Sequence, residues 1–158
     1  MPNNVTNKII FDKKHLDEIS KDLLNEGFFD FNNLVKMPIN VYRGNLSPDD
    51  EKDFPLNWLS WCRENWGTKW NSYSCKNGIE DNLAYICFDT AWSVPYPVIV
   101  AFAKKYNIDF ELKYFDEGHN FWGIEKWSGG GRKNKQYSDE ADKVSLCVEL
   151  KGYNPEDE

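Results

Sequence analysis

Leu83-Ala84-Tyr85-Ile86-Cys87-Phe88 is the stretch on which the fold turns. Its residues alternate into two sets: Ala84, Ile86 and Phe88 on one face, Leu83, Tyr85 and Cys87 on the other. Both sets are largely apolar, which predicts a strand covered on both faces and central in its sheet. After it, Ser93 is placed to cap a helix, with Pro95 and Pro97 in or just before the first turn. Val98, Ile99, Phe102 and Tyr106 then recur at helical spacing, and Lys104 and Lys105 complement the dipole at the C-terminal end. Asp109 to Phe115 alternates again, with Phe110, Leu112 and Tyr114 on one face. Asp116-Glu117-Gly118-His119-Asn120 reads as a hairpin loop, and Phe121 to Trp127 as the returning strand. This β-α-β-β run predicts an α+β domain with a mostly antiparallel sheet.

Upstream, Lys8 to Phe11 reads as a short strand and Asp12 as a helix N-cap. Leu16, Ile19 and Leu23 follow at helical spacing, with Gly27 as the left-handed stop. Phe28 to Val35 is aromatic but irregular. Asn40 to Asp53 reads as a surface loop, with a helical turn after Ser47 started by Pro48. Pro55 to Trp66 reads as a helix with Trp58, Trp61 and Cys62 on one side, closed by Gly67. Trp70 to Ser74 is read as extended and Lys76-Asn77-Gly78 as a turn. Downstream, residues 128–135, with Gly129-Gly130-Gly131, read as a mobile loop, Val144 to Leu150 as a final strand, and Gly152 to Glu158 as an acidic tail. The length of 158 residues fits one domain, residues 1–158.

The net charge is −7, which disfavours non-specific duplex DNA binding and permits a basic partner. The four cysteines, Cys62, Cys75, Cys87 and Cys147, show no C-x-x-C spacing, and only His15 and His119 are available to supplement them. No metal site and no cofactor is expected. No apolar run approaches the ~18 residues of a membrane span. The opening residues lack the charged and apolar regions of a signal peptide, so a cytoplasmic protein with reduced thiols is expected.

Two segments carry large aromatics beside residues that break regular structure: Trp66-Gly67-Thr68-Lys69-Trp70 and Thr90-Ala91-Trp92-Ser93-Val94-Pro95. Trp66, Lys69, Trp70 and Trp92 either lock two helix ends against the sheet or flank a groove with Lys69 as its positive group. Asp89 ends the central strand, and Glu117 and His119 lie in the hairpin loop; together they are the candidates for binding or acid–base work. Gly129-Gly130-Gly131-Arg132-Lys133 has the composition of an anion cradle but no evident helix behind it. Tyr85, Tyr114 and Trp122 are the sheet aromatics that a single-stranded nucleic-acid binder would use.

The segments Glu64 to Asn71 and Phe88 to Ile99, followed by Phe110 to Gly118 and Phe121-Trp122-Gly123, resemble the YubB / Api92-like family of phage and plasmid proteins. Phe29-Asp30-Phe31-Asn32 to Met37-Pro38 fits the same pattern, so the resemblance covers about Lys8 to Trp127. It implies a ferredoxin-like sandwich with helices packed on one face of the sheet. It implies no reaction, and the cysteine spacing argues against an iron–sulfur cluster. The expected function is a non-enzymatic accessory protein that binds a host or mobile-element protein, such as a host defence factor it inhibits. The alternatives are a single-stranded nucleic-acid binder and a small enzyme built on Asp89 or Glu117/His119. No membrane association is expected, and the oligomeric state is not legible.

Overall fold

A computed structural model describes residues 2–136 and 139–157; Glu158, the end of the expected acidic tail, lies outside them. Strand β1 (Asn4–Asp12) leads through a 3₁₀ turn at Lys13–His15 into helix α1 (Leu16–Leu23). Short strands β2 (Leu24–Asn25) and β3 (Phe28–Phe29) pair with each other. Helices α2 (Pro48–Asp53) and α3 (Trp58–Asn65) precede strands β4 (Tyr73–Glu80) and β5 (Leu83–Ala91). Helix α4 (Tyr96–Tyr106), strands β6 (Phe110–Asp116), β7 (Trp122–Ser128) and β8 (Gly131–Gln136), and helix α5 (Glu140–Lys151) follow.

Six strands form one sheet in the order β4-β5-β1-β6-β7-β8, with every ladder antiparallel. Strands β5 and β6 both run against β1, so they are parallel to each other across it. With α4 as the connection they make a split β-α-β unit. Strand β5 lies inside the sheet as expected, but its second face is only partly covered: Cys87 is buried, whereas Leu83 is 45% exposed. Ile9 of β1 stands opposite Ile86 on one side and Leu112 on the other, and all three are buried.

One face of the sheet carries the main core. Ile9 and Phe11, Ile86 and Phe88, and Phe110 and Leu112 pack on Ile19 and Leu23 of α1, Trp61 of α3 and Ile99 and Phe102 of α4. The ring of Phe102 lies within 5.0 Å of Phe110, 5.1 Å of Tyr106 and 6.4 Å of Phe11, centroid to centroid. Each such fully buried side chain stabilises the fold by roughly 1.5–3 kcal/mol. The pattern Phe110, Leu112, Tyr114 faces this core as its alternation predicts.

Val144 to Leu150 is not a strand. The alternation of Val144, Leu146, Val148 and Leu150 mimics period two, yet the segment is the body of α5. Asp139 accepts from the Asp142 N–H as N-cap, and Gly152 at φ 82° ends the helix. Leu146 and Cys147, adjacent in sequence, face the sheet together, and Phe115 joins them in a second, smaller core. Helix α5 therefore covers the opposite face from α1, α3 and α4.

Other local readings also change. Lys76-Asn77-Gly78 is inside β4; the reversal comes at Asp81-Asn82, at φ 51° and 69°. Gly129 and Gly130, both at positive φ, form a tight turn into β8, so the glycine segment is a paired hairpin and not a mobile loop. Gly27 sits in the β2–β3 turn after Glu26, and α1 ends earlier, at Leu24. Asp12 caps the 3₁₀ turn through the Lys14 N–H instead of capping α1. Ser93 does not cap α4; its hydroxyl donates to the Gly67 carbonyl. Helix α3 starts at Trp58 rather than Pro55, because Asn57 caps the Ser60 N–H. Ser47 and Asp50 form a capping box ahead of α2, with Pro48 at its start as expected.

Helix α5 is also tied down by charge. Glu149 accepts from Lys113 at 2.8 Å and from Lys8 at 3.1 Å. Burial pushes the Glu149 carboxyl up, but the two lysines outweigh it and hold it below its ordinary value of 4.5. Burial pulls Lys8 down, and Glu149 with Glu80 more than compensates, so it titrates above 10.5. The carboxylate contribution is therefore complete above about pH 4.5 and is lost as pH falls through the depressed value. The Lys8 contribution is complete below 10.5 and is lost on the alkaline side. In acid melts, Glu149→Gln should flatten the fall in melting temperature below pH 4.5 relative to the native chain. Parallel melting profiles with pH would show otherwise.

Candidate functional site

The two aromatic segments meet. Gly67, which follows α3, and Ser93, which follows β5, are joined by the Ser93 hydroxyl. Thr68 donates to the Ala91 carbonyl at 2.8 Å. Thr90 donates to the Ser93 carbonyl at 2.7 Å and accepts from buried Asn7 at 2.9 Å. This clasp fixes where the neighbouring aromatics point.

Trp66 turns inward. It is 3% exposed, packs edge-on against Phe31 and Trp61, and donates from its indole to the Val35 carbonyl at 2.7 Å. Trp70 and Trp92 turn outward, at 37% and 40% exposure. Between them stands Lys69, its ammonium 4.6 Å from the Trp70 ring and 4.7 Å from the Trp92 ring. The Arg63 guanidinium, reaching from α3, lies 5.2 Å from Trp92. The order Trp70–Lys69–Trp92–Arg63 is thus a ladder of alternating rings and cations on the surface.

Beside the ladder is an open cleft of about 810 Å³ lined by Pro2, Asn3, Asn4, Trp70, Asn71, Ser72, Tyr73 and Glu117. Glu117 accepts from the Asn4 N–H at 2.9 Å, and the Tyr73 hydroxyl donates to the Asn4 side chain. Burial pushes the Tyr73 phenol up to about 12, helped by the charges of Asp89 and Glu117, so it remains a neutral donor. Asp89 lies opposite Tyr73 in the β4–β5 ladder and accepts from Thr6 at 2.7 Å. His119, at φ 58°, leaves this group: its ring meets the Tyr153 hydroxyl at 2.7 Å.

Sequence position therefore found Trp70 and Glu117 on one cleft, Lys69 and Trp92 beside it, and Asp89 behind it. Trp66 belongs to the core, and the Glu117/His119 pair is not assembled. Asn3, Asn4 and Tyr73 were missed, and no spacing in the chain marks them. The sheet-aromatic set also breaks up. Tyr114 is buried on the core face, Trp122 lies beneath α5, and the Lys8 ammonium sits 5.0 Å over the Tyr85 ring.

A second polar group was missed as well. Glu125 is fully buried and accepts from Tyr96 at 2.6 Å, Tyr114 and the Trp127 indole at 3.2 Å, and Arg132 at 3.4 Å. Burial and the Glu125 hydrogen bond raise Tyr96; burial and the Glu125 charge, against a lowering bond from Tyr96, push Tyr114 up to about 12. Arg132, a member of the segment with an anion cradle's composition, is engaged by the protein's own carboxylate. The signal lay in β7, where Gly123, Glu125 and Trp127 share the inward parity.

Burial pushes Cys62 and Cys87 up to about 11, which leaves both as poor thiolates. Among the described residues, no group of three or more His, Cys, Asp and Glu is placed to hold a metal. No helix among them is long and apolar enough to cross a membrane.

An antiparallel sheet built around a split β-α-β unit, with helices on it, places the chain in the ferredoxin-like class of α+β domains. The chain belongs to the Api92-like family: the family model described as the ferredoxin-like domain in Api92-like protein matches residues 66–151, more than half of it. That range begins at the aromatic clasp, leaving residues 8–65 of the expected resemblance outside it, and runs through α5, past the expected end at Trp127. Among solved structures, the chain is similar to the crystal structure of a protein api92 from Yersinia pseudotuberculosis, at 10% identity and a TM-score of 0.47. The match covers 52% of this chain and 30% of that one. A comparison with curated protein sequences gives no match.

Proposed function

We propose that the chain is a non-enzymatic protein-binding module that takes a basic, apolar-anchored segment of a partner into the Trp70–Glu117 cleft. The observation that carries this reading is Trp92. It holds φ at 76° with its ring 40% exposed. A bulky residue in that backbone region costs of order 1–3 kcal/mol, and strain of this kind collects at ligand clamps. Exposed tryptophans are the residues that dominate protein interfaces. Glu117 and the net charge of −7 favour a cationic partner. The accessory role in a phage or plasmid, a cytoplasmic setting and inhibition of a host defence factor belong to this reading. A small acidic binding protein suits each of them.

Affinity capture from bacterial lysate, with nuclease, tests it. A stoichiometric protein partner should be retained by the native chain and lost with Trp70→Ala, by about thirtyfold in affinity for a hot-spot tryptophan. Trp92→Gly should also lose the partner, yet stay within about 1 kcal/mol of native stability, because relief of backbone strain offsets the lost cation–π contacts. Partner retention by both variants would sink the proposal.

One feature favours a second reading. The Trp70–Lys69–Trp92–Arg63 ladder has the ring-and-cation composition on which single-stranded bases stack. That reading expects oligonucleotide affinity that falls with salt and depends on Lys69 and Arg63.

A further inference from the structure

The sheet ends on one side at β4, and from Lys76 to Glu80 that edge is open. No described strand lies beyond it, and Lys76, Asn77, Ile79 and Glu80 are exposed, Ile79 to 57%. Upstream the edge is closed: β4 bulges between Tyr73 and Lys76, and the Cys75 sulfur accepts from the Phe29 N–H of β3. The turn fixes which backbone groups are free. Asp81-Asn82, at φ 51° and 69°, is a two-residue loop of type I′ closed by the Glu80–Leu83 pair, so the backbone polar groups of Glu80 face β5. Direction alternates along a strand, so the N–H and C=O groups of Asn77 and Ile79 face outward.

Such a row is a template for another strand unless its side chains prevent it. At the opposite edge they do. β8 holds Arg132 and Lys133 and no acidic residue, so two copies of it would set like charges face to face. The β4 edge is instead complementary to itself. Lys76 forms no ion pair with a described residue. Glu80 has a side chain 58% exposed, 3.7 Å from Lys8, and Lys8 has Glu149 closer, at 3.1 Å. When two copies of one strand pair antiparallel, outward groups must meet outward groups, which centres the two-fold axis on a residue. An axis at Gly78 sets Lys76 opposite the partner's Glu80, and Glu80 opposite the partner's Lys76. An axis at Asn77 or Ile79 opposes neither pair. We infer that the chain pairs with a second copy of itself through this edge, β4 against β4 about Gly78, in one continuous sheet. Asn77 and the partner's Ile79 exchange N–H···O=C bonds, as do Ile79 and the partner's Asn77. Gly78 brings no side chain to the axis, where the Tyr85 ring already stands 3.4 Å from the place of a Cβ. Ile79 gains the cover it lacks.

The pairing is short, which makes the dimer a transient one, with a Kd of roughly 10–500 µM. Sedimentation velocity of the native chain across that range of concentration should show a monomer–dimer equilibrium. Lys76→Glu alone and Glu80→Lys alone set like charges across the axis, and each should weaken the dimer about tenfold or more. Mixed in equal amounts, the two variants should associate with each other as the native chain does with itself, since each then meets opposite charges. Ile79→Pro removes an outward N–H without touching the β5 ladder and should weaken the dimer to the same degree. Thermal melts report folding; if Glu80→Lys does not fold, Lys76→Glu and Ile79→Pro decide. A chain that stays monomeric throughout overturns the inference. So does a dimer that the folded variants leave intact, a mixture of the two charge variants that fails to associate, or growth into open-ended assemblies. Lys76, Ile79 and Glu80 do not line the Trp70–Glu117 cleft, so the two proposals stand or fall separately.

Discussion

Replacing Glu125 with alanine should destabilise the chain by roughly 3–5 kcal/mol, the cost of breaking a buried charge network by removing one partner. At about 2–4 °C per kcal/mol for a chain of this size, the melting temperature falls by roughly 10 °C. The loss comes less from the missing carboxylate than from the donors left behind. Tyr96, Tyr114 and the Trp127 indole all donate to Glu125; Tyr114 and Trp127 are buried and cannot turn to water instead, and Tyr96 is half-buried. Arg132 is half-exposed and can be solvated, so it contributes least. Combining Glu125→Leu with Tyr96→Phe and Tyr114→Phe should therefore recover a substantial part of the loss, because the orphaned hydroxyls disappear with their acceptor. Thermal melts of the single and triple variants decide this. If the triple variant is no more stable than Glu125→Ala, the network is not the source of the effect.

Gly67→Ala should cost about 2–4 kcal/mol, summing strain at positive φ and overpacking. Its φ of 76° already disfavours a side chain, and an added Cβ would lie 2.6 Å from Pro97 Cδ. That proline belongs to the first turn of α4, so the clash would push α4 away from the end of α3 and open the aromatic clasp. Gly27 provides the control. Its φ is 84°, yet nothing lies within 4 Å of the added Cβ. Gly27→Ala should thus show the backbone cost alone, about 1 kcal/mol. Denaturant unfolding of both variants separates the two terms. Equal losses would mean that Pro97 yields without cost.

The β-α-β-β run was legible because Ala84-Ile86-Phe88 and Phe110-Leu112-Tyr114 keep strict parity and Val98 to Tyr106 keeps helical spacing. Strand β1 was legible only in its apolar half. Its first residues, Asn4, Thr6 and Asn7, spend their side chains on Tyr73, Asp89 and Thr90, so they carry no hydrophobic alternation. Helix α5 was misread because only two of its residues, the adjacent Leu146 and Cys147, are buried, against the small apolar patch of Phe115, Trp122 and Ile124. A helix needing so narrow an apolar stripe leaves no strong periodic signal. The cleft was half legible: Trp70 and Glu117 stood out as unusual residues, but their meeting follows from the strand order. Asn3, Asn4 and Tyr73 are ordinary residues made part of the cleft by that order alone.

The placing of β1 between β5 and β6 has a consequence for how the chain is made. β1 leaves the ribosome before either of its ladder partners, and the second of them ends only at Asp116, about a hundred residues later. At synthesis rates of ~5–20 residues per second, Ile9-Ile10-Phe11 waits roughly 5–20 s before both flanking strands exist. In that interval an apolar edge is open to any passing strand. A holdase-type chaperone should matter more for the nascent chain than for the finished domain, and slowing elongation, which lengthens the wait, should lower the soluble yield.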